Sequence, residues 1–214
     1  MNFLIFLLLG LAAAASLVSM RGRRVNQDLK NKFAACLLET LEPSESSMTD
    51  IGGAVGFTFE FLRSRVPERV AGSLTLFPRQ AMFYYPIARF LMREDALSLL
   101  APMPRLPIGE GHLLHRRRWE DGAIDVDDAD GMERSEIGAK DTDFIVLSYN
   151  VAVRDILRRF AGGFPYPADL RHFSYSRAND SFFLHIVPRQ ETLDACLEYW
   201  ICYLHELSSL KANP

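Results

Sequence analysis

The longest uninterrupted apolar stretch of the chain covers residues 3–20 and contains no charged side chain. As a helix rising about 1.5 Å per residue it would be roughly 27 Å long, close to the ~30 Å hydrocarbon thickness of a bilayer. The pattern therefore predicts one transmembrane helix as a membrane anchor. The side chains expected to contact lipid are Phe3, Leu4, Ile5, Phe6, Leu7, Leu8, Leu9, Leu11, Leu17 and Val18.

A cleaved secretory signal is the alternative interpretation of this stretch, because residues 12–16 supply the small side chains of a cleavage site. Such signals begin with a basic segment, whereas Met1 and Asn2 carry no side-chain charge. A retained anchor is therefore favoured over a signal that is removed.

Basic residues after the anchor predict its orientation, because Lys and Arg stay on the cytoplasmic side of a membrane. Arg21, Arg23, Arg24, Lys30 and Lys32 all follow the apolar stretch closely. We expect the N-terminus outside and the domain on the cytoplasmic, or equivalent inner, side. Membrane-surface or phosphate contact is predicted for Arg21, Arg23 and Arg24. The three cysteines are odd in number and widely spaced, which argues against a secreted disulfide framework.

Helical spacing continues beyond the arginines. Apolar residues recur from Val25 to Leu41, and Pro43 ends the pattern. This amphipathic helix is compatible with a position on the membrane surface or in the core of the domain, and core packing is favoured.

The next apolar segment, residues 51–62, is too short to cross a bilayer and contains Glu60. Gly52 and Gly56 form a pair of small residues four apart, a spacing that lets a partner helix approach closely. These two glycines are candidates for contact with a partner, and a close contact within the domain explains them at least as well. The segment lacks the G-x-G-x-x-G order of a dinucleotide site, which excludes that function here.

An aromatic stretch, residues 74–100, is interrupted by Pro78 and Pro86 and predicts short helices. Its apolar side chains suit either the core or the membrane interface, and the core is favoured. Closely spaced prolines at 102, 104 and 107 then predict an extended connection.

A basic cluster, His112–Trp119, follows the prolines. Its arginines Arg116, Arg117 and Arg118 are candidates for contact with the membrane surface or a phosphate group. The net charge of the whole chain is −3, which argues against nucleic acid as the partner.

Residues 119–143 are strongly acidic and predict an exposed loop that is either solvated or in contact with a partner. Pairing with the adjacent arginine cluster is a further alternative for this loop. Asp128 and Asp130 resemble the middle of a calcium loop, but Val126 and Ile137 occupy the positions of its anchoring carboxylates, so a calcium site is not predicted. The candidate partner-contact residues are Asp125, Asp127, Asp128 and Asp130.

The last seventy residues predict a helix, a hairpin and a second helix. Apolar spacing from Ile145 to Phe160 indicates the first helix, with Asp141 or Thr142 as its cap. Residues 173–176 and 181–187 flank a turn and predict two antiparallel strands. Apolar residues from Leu193 to Leu207 define the final helix.

Candidate chemistry is sparse in this sequence. Asp194, Glu198, Cys202 and His205 share one stripe of the final helix, but a solvated polar face explains them better than a metal site. His172 and His185 flank the predicted hairpin and could face each other. The sequence has no G-x-S-x-G motif, and no metal or cofactor is predicted.

Together these patterns predict a mainly α (α+β) protein: one transmembrane helix and a mostly helical domain with a β-hairpin. Its segments are residues 1–24 (anchor and basic flank), 25–118 (helical, aromatic-rich), 119–143 (acidic loop) and 144–214 (helix, hairpin, helix). The expected function is that of a single-pass accessory, assembly or scaffolding subunit, with a larger integral membrane protein complex and membrane lipid as partners. The alternative is a membrane-anchored enzyme or lipid-binding module that acts on a phosphate-bearing lipid.

Overall fold

The computed structural model describes residues 2–80, 94–103, 109–177 and 179–210. These contain four α-helices and nine strands. The helices are α1 (Asn2–Leu41), α2 (Arg116–Glu120), α3 (Val151–Gly163) and α4 (Leu193–Leu210). The strands are β1 (Glu45–Asp50), β2 (Gly56–Leu62), β3 (Arg69–Thr75), β4 (Ala96–Pro102), β5 (Gly111–His115), β6 (Glu133–Ala139), β7 (Thr142–Ser148), β8 (Leu170–Ser176) and β9 (Ser181–Ile186).

The nine described strands form a single antiparallel sheet in the order β1-β2-β3-β4-β9-β8-β5-β7-β6. The prediction of a mainly helical domain is therefore wrong. The reason is visible in β2, where Phe57, Phe59 and Phe61 are buried while Thr58 and Glu60 are exposed. Alternation with a period of two is the pattern of a strand with one buried face, and helical spacing does not account for it.

Helices cover one face of this sheet and enclose the main core. Phe33, Leu37 and Leu41 of α1 are buried there, together with Leu197 and Trp200 of α4. The predicted amphipathic helix of residues 25–41 is confirmed, because it packs into the core and ends at Leu41.

The chain between residues 142 and 150 departs from the predicted helix. Residues 142–148 form β7, and the helix begins only at Val151, where the side chain of Asn150 accepts a hydrogen bond from Val153 N at 3.0 Å. Phe144 and Val146 face the main core. Ile145 and Leu147 face a second cluster with Leu114, Val126 and Met132. A strand buried on both faces has a continuous apolar sequence, which resembles a helix in periodicity.

Other predicted elements are confirmed or relocated. The hairpin is β8–β9, and the final helix is α4. Part of the aromatic stretch is strand and not helix, since residues 74–75 end β3 and residues 96–100 belong to β4. Its residues 81–93 lie outside the described part of the chain, as do Pro104 and Pro107. Within the acidic segment, residues 133–139 form the edge strand β6.

Helix α1 runs without a break from the apolar stretch into the core. Its 40 residues correspond to a length of about 60 Å. In the described part of the chain it is the one helix long and apolar enough to cross a membrane. The side chains described in its first part are exposed, including Phe6, Leu9, Leu11 and Leu17.

Candidate functional site

The first notable site is the junction where α1 meets the sheet. A Cβ atom added to Gly22 would overlap the backbone carbonyl of Arg79 and lie 2.7 Å from Gln80 N. Atoms of real side chains do not approach backbone this closely, so the segment after β3 can pack against α1 only because residue 22 is glycine. The contact places residues 79 and 80 of the domain directly beside the end of the apolar stretch.

One turn further along α1, Asn26 is fully buried and forms three side-chain hydrogen bonds. Its Nδ2 donates to Phe77 O at 2.9 Å and to Gln80 Oε1 at 3.1 Å, while its Oδ1 accepts from Arg79 Nη1 at 2.9 Å. A buried amide with its hydrogen bonds made is costly to displace, because each broken bond would leave a polar atom without a partner.

Asp95 completes this arrangement at the start of β4. It accepts two hydrogen bonds from the Arg79 guanidinium, at 3.0 and 2.8 Å, and one from Phe77 N at 2.7 Å. We call Asn26, Phe77, Arg79, Gln80 and Asp95 the junction network. A paired, planar guanidinium–carboxylate contact adds directional constraint to the contact between α1 and the sheet.

A second attachment lies two turns from Gly22. The Lys30 ammonium, which is buried, pairs with Asp50 at the end of β1. Hydrogen bonds from Lys30 and from Gly52 N lower the pKa of Asp50. Together with the junction network, this pair fixes the orientation of α1 relative to the sheet on one side of the helix.

The other notable site crosses the sheet face opposite α1, where four strands each contribute a polar residue: Ser98 from β4, His185 from β9, His172 from β8 and His112 from β5. We call these residues the histidine row. Ser98 Oγ lies 2.9 Å from His185 Nδ1, and His112 Nδ1 lies 3.1 Å from His172 Nε2. His172 and His185 are cross-strand partners, as the sequence suggested.

Burial lowers the pKa of each imidazole in the histidine row. For His172 the pKa falls to about 3, with the neighbouring His112 and His185 adding to the effect. His112 and His185 also have lowered pKa values, mainly through burial. The three rings are therefore neutral near pH 7. At this low pKa the His172 ring is a weak general base at neutral pH and is not present as the imidazolium that would act as a general acid.

A charged cluster lies beside this row. Glu94 accepts two hydrogen bonds of 2.7 Å from Arg171 and pairs with Arg118 at 2.9 Å. Burial would raise the pKa of Glu94, but the hydrogen bonds and charges of the two arginines outweigh it and lower that pKa. The cluster joins the start of β4 to β8 and α2, so its role is explained by the fold.

Two of the three predicted phosphate-contacting arginines of α2 are engaged by carboxylates. Arg118 pairs with Glu94, and Arg116 pairs with Glu136 and, at 3.3 Å, with Glu120. Arg117 is largely exposed, with Asp121 4.0 Å away. Arg21, Arg23 and Arg24 are also exposed on α1. Contact with a membrane surface stays a prediction for these residues.

Residues predicted to contact a partner occupy two separate places. Gly52 lies in the connection between β1 and β2 and Gly56 is the first residue of β2, so neither is on a helix, and both have positive φ values. A Cβ on Gly56 would overlap Leu74 O, so the close approach of β3 requires glycine there. The acidic residues Asp125, Asp127, Asp128 and Asp130 are exposed, and Asp128 accepts a hydrogen bond from the Tyr149 hydroxyl. Their contact with a partner stays a prediction.

Comparison with known protein families and with curated proteins finds no match. Among the described residues, no group of three or more His, Cys, Asp or Glu side chains is arranged to hold a metal ion, and this includes the polar stripe of α4.

Sequence patterns did not reveal the junction network. Its members come from α1, from the segment after β3 and from the residue before β4, and single polar residues such as Asn26 and Asp95 carry no motif. The available signal was an asparagine on the apolar face of a helical pattern, since a polar residue there needs a buried partner.

Proposed function

We propose that this protein is a single-pass, membrane-anchored accessory, assembly or scaffolding subunit of a larger membrane protein complex and acts through protein–protein contacts. The observation that carries the proposal is the attachment of α1 to the sheet by Gly22 and the junction network. A simple tether needs only a flexible linker, whereas this chain places a buried hydrogen-bond network directly after its apolar stretch.

A rigid attachment has a specific consequence for binding. Because α1 is continuous from residue 2 to residue 41, a membrane-embedded anchor would hold the sheet at a set height and orientation above the bilayer. A partner embedded in the same membrane then meets a surface that is already oriented, which reduces the entropy lost on association. An orientation fixed before binding helps a subunit of a membrane complex to meet its partner.

The side of the membrane is part of the proposal. Arg21, Arg23 and Arg24 are exposed on α1 immediately after the apolar stretch, where they can contact anionic lipid. Their position supports an N-terminus outside and a domain on the cytoplasmic, or equivalent inner, side.

The histidine row is the feature that would favour the alternative of a membrane-anchored enzyme, since Ser98 and His185 are within hydrogen-bonding distance. The low pKa of His172 argues against acid–base chemistry by that ring, and the carboxylates that engage Arg116 and Arg118 argue against phosphate binding by these two arginines. We therefore assign the row a structural role.

The test is extraction of the full chain from its native membrane in a mild detergent, followed by size determination and identification of stoichiometric partners. We expect an assembly well above the 24.3 kDa chain mass that contains at least one other integral membrane protein in fixed ratio. A monodisperse single chain with no co-purifying protein would contradict the proposal. A Gly22→Leu variant should reach the membrane but lose the assembly, whereas Gly10→Leu is the matched control.

A further inference from the structure

Strand β1 forms one edge of the described sheet, and all six of its residues are exposed. Ile51 N donates to the carbonyl of Gly56, its opposite residue, at 3.1 Å. Because antiparallel hydrogen bonding alternates along a strand, the N–H and C=O groups of odd-numbered residues point toward β2. Those of Ser46 and Met48 therefore point away from the sheet.

The opposite edge strand, β6, differs from β1 in the charge of its side chains. Glu133, Arg134 and Glu136 occupy it, and Glu133 and Glu136 are ion-paired with arginines of α3 and α2. Charged side chains of this kind protect an edge against pairing with another chain. The middle of β1, Ser46–Thr49, has no charge, no proline and no irregularity in its pairing with β2.

Apolar side chains border β1 on the side facing α1. The strand runs back along the helix, because Asp50 pairs with Lys30 while Glu45 lies just after the end of the helix. Met48 points to this side, since its cross-strand neighbour Phe59 is in the core. Leu38 lies about two turns beyond Lys30 on α1, and both Met48 and Leu38 are more than one third exposed. An added strand would cover them.

On the other side of β1 the surface forms a shallow depression of about 330 Å³. Ser47, Thr49, Thr58, Glu60 and Ala71 are among its lining residues. An added strand directs alternate side chains to opposite faces. Its residues on this side would extend over Ser47 and Thr49, where there is room for a large side chain.

A second copy of this chain does not fit the edge through antiparallel pairing, the mode that every strand pair of the described sheet uses. Antiparallel pairing of two β1 strands would make the two strands run in opposite directions. Since β1 runs antiparallel to α1, the two anchors would then also point in opposite directions, and both could not enter the same membrane. An antiparallel occupant is therefore a different chain.

We infer that the edge of β1 binds an extended segment of a partner membrane protein as an additional strand beside the nine described strands. This inference rests on the proposed function and names the surface through which it operates. The segment has about six residues, with apolar side chains facing Met48 and Leu38. It carries Lys or Arg at the end that meets the exposed Glu42 and Glu45. Main-chain hydrogen bonds to Ser46 and Met48 supply the pairing.

Proline at Ser46 tests the pairing directly. Ser46→Pro removes an N–H that points away from the sheet and leaves the bonds to β2 in place, and proline is tolerated on edge strands for this reason. Ser46→Ala keeps the N–H and is the matched control. We expect Ser46→Pro to reduce the yield of stoichiometric membrane partner at least tenfold in detergent extracts, while Ser46→Ala retains it.

Two further measurements keep the outcome decisive. If Ser46→Pro fails to fold, Met48→Lys replaces it as the test. This variant retains the N–H, places a charge on the edge and should cause the same loss of the membrane partner. A photo-crosslinking residue at position 46 should react with one extended segment of the partner, whereas the same residue at position 133 on β6 should not. Crosslinks from position 133 alone, or an unchanged assembly in both edge variants, would overturn this inference and leave the proposed function standing. If the unaltered chain has no partner, both this inference and the proposed function fail.

Discussion

Gly22 of α1 lies so close to the backbone of Arg79 that no side chain fits between them. This contact joins a helix that could cross a membrane to the segment leading from β3 to β4. The distance leaves no room for adjustment on the Arg79 side, because the overlapping atoms belong to the backbone and not to a flexible side chain.

Gly22→Ala should destabilise the attachment of α1 by about 1–3 kcal/mol, the usual cost of forcing an extra group into a packed site. Gly10→Ala is the matched control, since a Cβ at Gly10 would meet no atom within 4 Å. Chemical unfolding of the full chain in detergent micelles measures both. Equal stability of the two variants would mean that the close contact is not maintained.

Replacement of Asn26 by leucine should cost more than an ordinary surface substitution. It leaves Gln80 Oε1 and one Arg79 N–H without the partner they have in the native protein, and it removes one of the hydrogen bonds to Phe77 O. An unsatisfied buried group costs about 1–3 kcal/mol, so we expect a loss of roughly 2–4 kcal/mol in unfolding free energy. Gln27→Leu, one residue away on the exposed surface of α1, should change stability by less than about 0.5 kcal/mol.

The histidine row predicts a stability that falls as the pH falls from 7 to 5. In the unfolded chain imidazoles take up protons near pH 6.5, whereas burial lowers the folded-state pKa values of His112, His172 and His185. The unfolded state then binds more protons, and each such histidine costs up to about 1.4 kcal/mol per pH unit in this range.

Unfolding at several pH values with His172→Gln checks this effect. The slope of unfolding free energy against pH should become shallower in that variant, while His205→Gln on the exposed side of α4 should retain the full slope. A stability that stays constant between pH 7 and 5 in the unaltered chain would contradict the burial of the row.

Sequence patterns predicted the elements whose periodicity is local. The final helix repeats its apolar residues at helical spacing, and Leu193, Leu197, Leu204 and Leu207 are all buried as expected. The β8–β9 hairpin was likewise marked by two short apolar runs around a polar turn. In both cases neighbouring residues carry the whole signal.

Sequence patterns failed where tertiary contacts decide the structure. β7 is buried on both faces, so its apolar run has no alternation and merges with the helix that follows it. In β3, residue 72 falls on the buried side of the strand but is glycine, because a Cβ there would overlap Ser98 O and the Phe59 ring. The alternation of apolar and polar residues along β3 is weakened as a result. The junction network and the histidine row each join residues far apart in sequence, which no local pattern could bring together.

Sidedness can be tested with the acceptor sequence Asn179-Asp180-Ser181, whose asparagine is exposed in the turn between β8 and β9. With the domain on the inner side, this site should carry no glycan when the chain is inserted into a eukaryotic microsomal membrane. An N-terminal extension bearing the same acceptor sequence should be glycosylated in the same experiment. Modification of Asn179 would contradict the proposed orientation.

The most direct test of rigid anchoring is a distance distribution between spin labels at Val18, in the apolar stretch, and Glu191, in the domain. Both side chains are exposed, and the full chain is measured in lipid nanodiscs with its native cysteines replaced. Rigid attachment predicts a single narrow distribution that broadens in Gly22→Leu and not in Gly10→Leu. A broad distribution in the unaltered chain would show a flexible tether and contradict the account.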